Sequence, residues 1–288
     1  MQATVADLLA QGLRQLNAAG DGADPYRASQ LDVEILLAHV LQVGRSRLRS
    51  HPEQVVEAAQ VLRYQALLAR RAAGEPLAYL TGSREFWSLP LAVDARVLVP
   101  RPETELLVER ALELCRATEA RVADLGTGSG AVALAIASER PRWRLTATDV
   151  SGAALAVAAA NATRLGLANV TFRLGSWFEA LEEARFELLL SNPPYVARDD
   201  PAFAGGALTH EPALALSAGA DGLRCLRLLA QGAPRHLAPG GWLLLEHGAA
   251  QGAAVRDALV LAGFRHVRSY RDLAGHERIT EGQHHDQI

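Results

Sequence analysis

The spacing of apolar residues predicts that the chain begins with a bundle of helices. Apolar positions recur every three or four residues in three stretches, at residues 5–20, 29–44 and 51–74. We expect the third helix to open at His51-Pro52-Glu53. Joined by polar loops, the three helices would form a small bundle over residues 1–75. The pattern leaves open whether this bundle only packs or also docks a macromolecular substrate.

Over residues 76–100 the apolar residues no longer follow helical spacing, and they predict extended backbone instead. Two short apolar segments, Phe86-Trp87-Ser88-Leu89 and Leu91-Ala92-Val93, stand on either side of Pro90. They predict a linker that contains a β-hairpin. Pro102 then suits the first turn of a further helix that runs to Leu114.

From residue 121 onward strands and helices alternate, which is typical of a mostly parallel sheet with helices on both faces. We expect Pro239-Gly240-Gly241 to end a helix before the fifth strand begins. The predicted strands lie at residues 121–125, 144–149, 170–173, 186–190, 242–246, 264–271 and 276–280, and the helices between them at 131–139, 153–165, 223–236 and 249–261.

Composition narrows the class of protein. Of 288 residues, 49% are hydrophobic, so a packed core is expected. The net charge of −3 argues against a broad grip on nucleic acid, although Arg45, Arg47 and Arg49 could form a local basic patch. Two distant cysteines, Cys115 and Cys225, indicate a reduced cytoplasmic protein without a zinc site. With no apolar run of about 18 residues and no signal-like start, we expect no membrane span.

A glycine-rich loop follows the first strand of the alternating region. Asp124-Leu125-Gly126-Thr127-Gly128-Ser129-Gly130 places three alternating glycines between a strand and a helix. Such glycines allow a tight turn and let a ligand approach the backbone closely. Asp149 ends the next strand, where a carboxylate can accept both hydroxyls of a ribose or simply stand at a helix N-terminus.

The glycine loop is compatible with two kinds of adenosine-containing cofactor, a dinucleotide or S-adenosylmethionine. Gly126, Gly128 and Ala131 match the dinucleotide fingerprint, whereas Asp124 and Gly130 shift the balance toward S-adenosylmethionine. The motif Asp-x-Gly-x-Gly-x-Gly resembles the first motif of S-adenosylmethionine-dependent methyltransferases. Trp177 could pack on the adenine or belong to the core.

The motif Asn192-Pro193-Pro194-Tyr195 follows the buried strand that ends at Leu190. One proline would suffice to end a strand, because proline cannot donate to the ladder. The side-chain carbonyl of Asn192 and the backbone carbonyl of Pro193 could instead accept both N–H groups of a planar –NH₂ group, with Tyr195 stacked on it. This is a site for methylating an amide or an exocyclic amine, and it needs no metal.

The motifs together resemble the HemK-type peptide chain release factor glutamine N5-methyltransferases. The resemblance runs from about residue 75 to about residue 280. Beyond the glycine loop and NPPY it rests on residues 75–82, 84–87, 100–105, 176–178, 211–214 and 243–248.

The resemblance implies a Rossmann-like class I methyltransferase domain over residues 101–288, with seven strands of which the last is antiparallel. It implies that the substrate is the Gln of the Gly-Gly-Gln motif in bacterial class I release factors, docked partly by the N-terminal bundle. The residues implied for S-adenosylmethionine are Gly126, Thr127, Gly128, Ser129, Gly130, Asp149, Trp177 and Asn192. Asn192, Pro193, Pro194 and Tyr195 would hold the glutamine amide, and Asn192, Pro193 and Tyr195 would act in catalysis. We expect residues 196–222 to line the mouth of the site, and the protein to be a monomer without direct contact to nucleic acid.

Four other functions stay open on sequence alone. The sister activity on a glutamine of a ribosomal protein shares the local motifs. A nucleic-acid adenine methyltransferase would require a basic surface or a target-recognition domain. A non-enzymatic sensor of S-adenosylmethionine and an NAD-dependent oxidoreductase are the remaining alternatives.

Overall fold

The computed structural model describes residues 3–19, 29–182, 184–198, 200 and 207–285. These residues fall into two compact units. One contains the described residues of Met1–Ser83 and Pro201–His210, and the other those of Arg84–Asp200 and Glu211–Ile288. The functional domain boundaries expected at residues 75 and 100 stay a prediction.

The first unit is helical. Its core is formed by the apolar faces of its helices around the fully buried Tyr64 and Leu68. Gly12 lets two helices approach closely, since a Cβ there would lie 2.4 Å from the Tyr64 hydroxyl oxygen. The α-helices of this unit are α1 (Val5–Ala18), α2 (Ser29–Leu41), α3 (Arg45–Ser50), α4 (Ala58–Ala72) and α5 (Leu77–Thr81).

The prediction that a helix opens at His51 is wrong, because α4 begins at Ala58. The preceding backbone pairs with the start of α1: Val5 donates to the Gln54 carbonyl at 3.0 Å and Val56 to the Ala3 carbonyl at 2.9 Å. These long-range hydrogen bonds hold the segment extended, so tertiary pairing overrides helical spacing here.

The arginines of α3 do not form an isolated basic patch. Arg49 and Arg45 approach Glu34 of α2 with N···O distances of 2.9 and 3.7 Å. Glu34 is buried, and hydrogen bonds from Gln30 and then Arg49 lower its pKa. Part of the positive charge on this helix is therefore neutralised within the unit.

A hairpin is present as predicted, but its turn lies elsewhere. Strands β1 (Ser83–Phe86) and β2 (Leu89–Ala92) pair around Trp87 and Ser88, whose φ angles are 52° and 58°. Positive φ at both central residues matches the handedness that hairpin turns require. Pro90 lies inside β2, which a two-stranded sheet tolerates because proline is accepted at edges.

The second unit holds a seven-stranded sheet in the order β5-β4-β3-β6-β7-β9-β8. β3 to β7 run parallel, and the last strand, β9, is antiparallel to both of its neighbours. This confirms the α/β class I methyltransferase architecture. The strands are β3 (Arg121–Leu125), β4 (Arg144–Asp149), β5 (Val170–Leu174), β6 (Phe186–Ser191), β7 (Leu237–Glu246), β8 (Arg265–Arg271) and β9 (Glu277–Gln283). The helices are α6 (Glu105–Leu114), α7 (Ala131–Glu139), α8 (Gly152–Leu165), α9 (Arg224–Gly232) and α10 (Gly252–Leu261), and 3₁₀ turns lie at Pro102–Thr104, Trp177–Ala180, Ala213–Ala215 and Ala233–Arg235. A further 3₁₀ turn, Ala207–His210, belongs to the first unit.

Buried central strands organise the core. Leu188, Leu189 and Leu190 of β6 are each fully buried, as expected for a parallel strand covered on both faces. Helix α7 is also buried over most of its surface, because its alanines permit close packing. Cys115 is buried and Cys225 half-buried, and both are free thiols.

The expectation that Pro239-Gly240-Gly241 stands outside the fifth strand is wrong. These residues belong to β7, whose register against β6 shifts between Phe186 and Leu188. Gly241 is needed for this close approach, since a Cβ there would lie 2.9 Å from the Phe186 carbonyl oxygen. The irregularity is a bulge within the strand rather than its boundary.

Among the described residues, no helix combines the length and the apolarity needed to cross a bilayer.

Candidate active site

Three loops meet at the carboxyl edge of the sheet. β3 lies between β4 and β6, so that Leu125 is the partner of Thr148 and Asp124 the partner of Leu190. The chain order of the strands reverses at this point, which is where open α/β sheets bind ligands. The Ser191 hydroxyl donates to the Leu125 carbonyl at 2.6 Å and ties the ends of β3 and β6 together.

The glycine loop, which follows β3, is the first of the three loops at this edge. Gly126, Gly128 and Gly130 have φ angles of 80°, 56° and 86°, in the left-handed region that favours glycine. A Cβ at Gly128 would meet no described atom within 4 Å, so its outer face is open. A Cβ at Gly130 would lie 3.0 Å from Leu134, which shows that this glycine serves packing instead.

Asp124 supports the loop from beneath. Its carboxylate accepts from the Thr127 hydroxyl at 2.6 Å and from the Ala133 amide at 3.3 Å. Burial raises the pKa of Asp124 to about 6, against the opposing effect of these hydrogen bonds. Asp124 therefore shapes the loop and is not exposed to a ligand.

Asp149 lies at the end of β4, as predicted. Its two carboxylate oxygens accept from the Gly128 amide and the Ser151 amide, both at 2.9 Å. A carboxylate has about four lone-pair positions, so two acceptor positions remain for hydroxyl groups. The hydrogen bond to Gly128 also fixes the carboxylate against the glycine loop.

Trp177 lies beside the same loop. It begins the 3₁₀ turn after β5 with a φ of 49°, and a Cβ on Gly126 would lie 3.5 Å from its ring. The side chain is half-buried. The ring of Trp177 therefore lies at the glycine loop and also packs against the hydrophobic core of the unit.

The Asn192-Pro193-Pro194-Tyr195 motif leaves the end of β6 beside these groups. The side-chain amide of Asn192 donates from Nδ2 to the Thr104 hydroxyl oxygen at 3.2 Å. Among the described residues, no hydrogen bond reaches Asn192 Oδ1 or the Pro193 carbonyl oxygen. Within the described part of the chain, both acceptors proposed from the sequence therefore have no partner.

Tyr195 contacts a buried acid. Its hydroxyl donates to Glu246 Oε1 at 3.3 Å, and its backbone carbonyl accepts from the Gln251 side chain at 3.0 Å. Burial raises the pKa of Glu246 to about 7, while burial and the nearby Glu246 raise the pKa of Tyr195. These contacts fix the ring and leave no exposed phenol to act as a base.

Part of the predicted mouth segment packs against the motif. Val196 forms a parallel bridge with Ser217, and Gly222 is required because a Cβ there would lie 2.4 Å from the Tyr195 carbonyl oxygen. Glu211 accepts from the Val99 amide at 3.0 Å and from the Arg101 side chain at 2.6 Å. Residues 199 and 201–206 of the segment lie outside the described residues, so its role as a mouth stays a prediction.

Sequence reasoning gave no role to three polar residues that support the site. Asn161 is fully buried and bonds the Ser129 carbonyl and both backbone groups of Ala92. Thr104 and Glu246 lie behind Asn192 and Tyr195. The signal that could have indicated Glu246 is a charged residue directly after the apolar run Leu243-Leu244-Leu245.

Two protein-family models match parts of this chain. Residues 7–82 match the family model described as "PrmC N-terminal domain", and residues 102–220 match "Methyltransferase small domain".

Solved structures show the same fold at low sequence identity. A methyltransferase from Pyrococcus furiosus aligns with a TM-score of 0.53 and 19% identity, covering 77% of this chain and 98% of that chain. A ribosomal protein L11 methylase from Lactobacillus delbrueckii subsp. bulgaricus aligns with a TM-score of 0.51 and 19% identity, covering 67% and 84%.

Sequence relatives are much more similar. A release factor glutamine methyltransferase from Xylella fastidiosa is 53% identical over 258 residues, covering 89% of this chain and 94% of the relative. One from Vibrio cholerae is 44% identical over 285 residues, covering 99% and 98%. With the glycine loop, Asp149 and the NPPY motif gathered at one sheet edge, the chain belongs to the release factor glutamine methyltransferase family.

Proposed function

We infer that the protein transfers a methyl group from S-adenosylmethionine to the side-chain amide nitrogen of a release factor glutamine. The substrate would be the Gln of the Gly-Gly-Gln motif in bacterial class I release factors. The observation that carries this inference is the carboxamide of Asn192, placed beside the glycine loop with its nitrogen held by Thr104 and its oxygen free.

The residues at the edge of β3 and β4 fit the cofactor. Gly126 and Gly128 present bare backbone, Asp149 has two acceptor positions left, and the Trp177 ring lies next to Gly126. We propose that Gly126 to Gly130 contact the amino acid part, that Asp149 accepts the ribose hydroxyls, and that Trp177 packs on the adenine. When bound, S-adenosylmethionine supplies an electrophilic methyl group on a sulfonium. The described residues contain no cluster of His, Cys, Asp or Glu able to hold a metal ion.

The NPPY motif is proposed to hold the substrate amide. Asn192 Oδ1 and the Pro193 carbonyl each accept one N–H of the glutamine –NH₂ group, and Tyr195 and Pro194 pack against its plane. An amide nitrogen is a poor nucleophile because its lone pair is delocalised. Holding both N–H groups orients the nitrogen, and the two carbonyls stabilise the positive charge that grows on it. Orientation of this kind contributes on the order of 7–11 kcal/mol in well-aligned reactions.

Three further proposals concern substrate docking, the oligomeric state and location of the protein, and nucleic acid. We propose that residues 1–75 dock the body of the release factor, that the protein works as a monomer in the cytoplasm, and that it needs no direct nucleic-acid contact. A glutamine of a ribosomal protein stays the alternative substrate, because the same carbonyl pair would accept it.

The test is transfer of isotope-labelled methyl from S-adenosylmethionine to a purified class I release factor. The matched control is the same factor with its motif Gln changed to Ala, and ribosomal protein and DNA are parallel substrates. Label on the intact release factor alone supports the function. Label on the Ala variant, or on another substrate only, contradicts it.

Two variants separate the proposed roles. Asn192→Ala should abolish turnover while the protein stays folded, since a substrate N–H left without an acceptor is strongly disfavoured. Asp149→Ala should weaken cofactor binding, measured by calorimetry, more than it weakens release factor binding. Near-normal turnover in the first variant, or equal losses in the second, would refute the assignments.

A further inference from the structure

The side chain of Gln251 bridges the loops that follow two neighbouring strands. β6 and β7 are adjacent and parallel, so the NPPY motif and the loop before α10 leave the sheet at the same edge. Gln251 directly precedes α10 and is half-buried. Its Nε2 donates to the Tyr195 carbonyl oxygen at 3.0 Å, and its Oε1 accepts from the Gly248 amide at 2.9 Å. One carboxamide therefore joins the substrate motif to the start of α10.

The backbone groups on either side determine which way this carboxamide faces. A backbone N–H can only donate and a backbone carbonyl can only accept, so turning the Gln251 side chain over would break both hydrogen bonds. Gly248 holds Gln251 a second time, because its carbonyl accepts from the Gln251 amide at 2.9 Å. The fold therefore presents Gln251 Nε2 to the Tyr195 carbonyl as a fixed donor.

The bridge holds one peptide plane at the end of the motif. The carbonyl of this peptide belongs to Tyr195 and is bonded to Gln251, while its N–H, from Val196, donates to the Leu216 carbonyl at 3.0 Å. Gly222 packs closely against the same group, since a Cβ there would lie 2.4 Å from the Tyr195 carbonyl oxygen and 2.8 Å from Gln251 Nε2. The peptide cannot rotate without breaking a hydrogen bond in a closely packed place.

The direction of the Pro193 carbonyl depends on the contacts at both ends of the motif. The two prolines have no N–H to donate, and their rings fix φ at about −65°. Before the prolines, the motif is held by the hydrogen bond from Asn192 to Thr104. After them, its backbone is held by the hydrogen bond from Gln251 to the Tyr195 carbonyl. The Pro193 carbonyl lies between these two contacts on a stiff piece of chain.

We propose that Gln251 is a positioning residue, which holds the Tyr195 end of the motif so that the Pro193 carbonyl points at the substrate amide. This inference rests on the proposed function, in which that carbonyl accepts one N–H of the glutamine –NH₂ group. Gln251 acts through the backbone and does not touch the substrate. A carbonyl stabilises a growing positive charge only from the right distance and direction. A misplacement of about 1 Å can cost on the order of 10²-fold in rate.

The first experiment removes the donor and keeps the shape of the side chain. Gln251→Glu retains the oxygen that accepts from Gly248, but its second carboxylate oxygen cannot donate to Tyr195. We expect kcat for release factor methylation, per cofactor site counted by calorimetry, to fall by roughly 10- to 100-fold. The cofactor Kd should stay within about twofold of wild type and the release factor KM within about threefold, because the lost interaction acts mainly in the transition state.

The matched control is the same substitution at Gln283, on β9. Its side chain also donates to a backbone carbonyl, that of Gly240 at 2.9 Å, near the opposite end of β7. Gln283→Glu should therefore keep kcat per site within about twofold of wild type.

A second variant separates loss of the donor from added charge. Gln251→Met has a similar length and no donor, so its kcat per site should fall by roughly 5- to 50-fold. Wild-type kcat in either Gln251 variant would overturn the proposal. A cofactor Kd that rises in step with the fall in kcat, or a loss of cofactor sites, would also overturn it, since Gln251 would then support the whole site. If wild-type enzyme transfers no label to the release factor, it is the proposed function that fails.

Discussion

Asn161→Ala should destabilise the methyltransferase unit severely, although this residue lies outside the substrate motif. Asn161 of α8 is fully buried and clamps two segments. Its Oδ1 accepts from the Ala92 amide at 2.8 Å, and its Nδ2 donates to the Ala92 and Ser129 carbonyls, both at 3.0 Å. One side chain thus joins the hairpin to the glycine loop.

The magnitude follows from the groups left behind. Truncation leaves one backbone N–H and two carbonyls without their partner, and each unsatisfied buried group costs about 1–3 kcal/mol. Ala92 is half-buried and water can reach part of the gap, so the lower half of that range applies. We expect a loss of about 3–6 kcal/mol in the free energy of unfolding.

Urea unfolding followed by tryptophan fluorescence measures this loss. The signal reports on the second unit alone, because that unit contains every tryptophan of the chain, Trp87, Trp143, Trp177 and Trp242. The matched control is Thr163→Ala on the same helix, an exposed residue whose change should stay within about 0.5 kcal/mol. A loss below about 1 kcal/mol in Asn161→Ala would refute the clamp.

Further predictions concern the glycine loop, the cofactor and pH. Gly130→Ala adds crowding against Leu134 to the penalty of about 1–2 kcal/mol for a left-handed alanine, so this variant should unfold at a clearly lower urea concentration than Gly128→Ala. Gly128→Ala should instead bind the cofactor more weakly. Equal stability of the two variants would contradict the packing role of Gly130. Trp177→Ala should weaken S-adenosylmethionine binding by roughly 2- to 10-fold in calorimetry, and unchanged affinity would exclude stacking. Because the folded pKa of Glu246 is raised to about 7, its contribution to stability is present at low pH and lost as pH rises through 7. The wild type should therefore lose stability relative to Glu246→Gln between about pH 5 and pH 8, and a constant difference would argue against the raised pKa.

Local sequence was sufficient to predict the architecture of the second unit, because its apolar runs and its glycine positions indicate the same strands and helices. Apolar runs such as Leu188-Leu189-Leu190 form strands buried on both faces, and Gly166 ends α8 in the left-handed conformation. The residues of the glycine loop, Asp149 and NPPY were found because each follows a strand end, and parallel strands end at the same edge.

The errors arose where distant segments compete with local preference. The segment before α4 is held extended by hydrogen bonds to the start of α1, and Gly241 lies within β7 because it must approach Phe186. Neither partner is near in sequence. Periodicity alone carries no information about such contacts.

The sequence by itself determined the fold class and the sheet edge at which the glycine loop, Asp149 and NPPY meet, because strand ends and glycine turns are local properties. Only the tertiary structure decided how those residues are held. Asn192 meets Thr104 across 88 positions of the chain, and Tyr195 meets Glu246 across 51. The direction of a carboxamide depends on which hydroxyl lies behind it, and only the folded chain determines that neighbour.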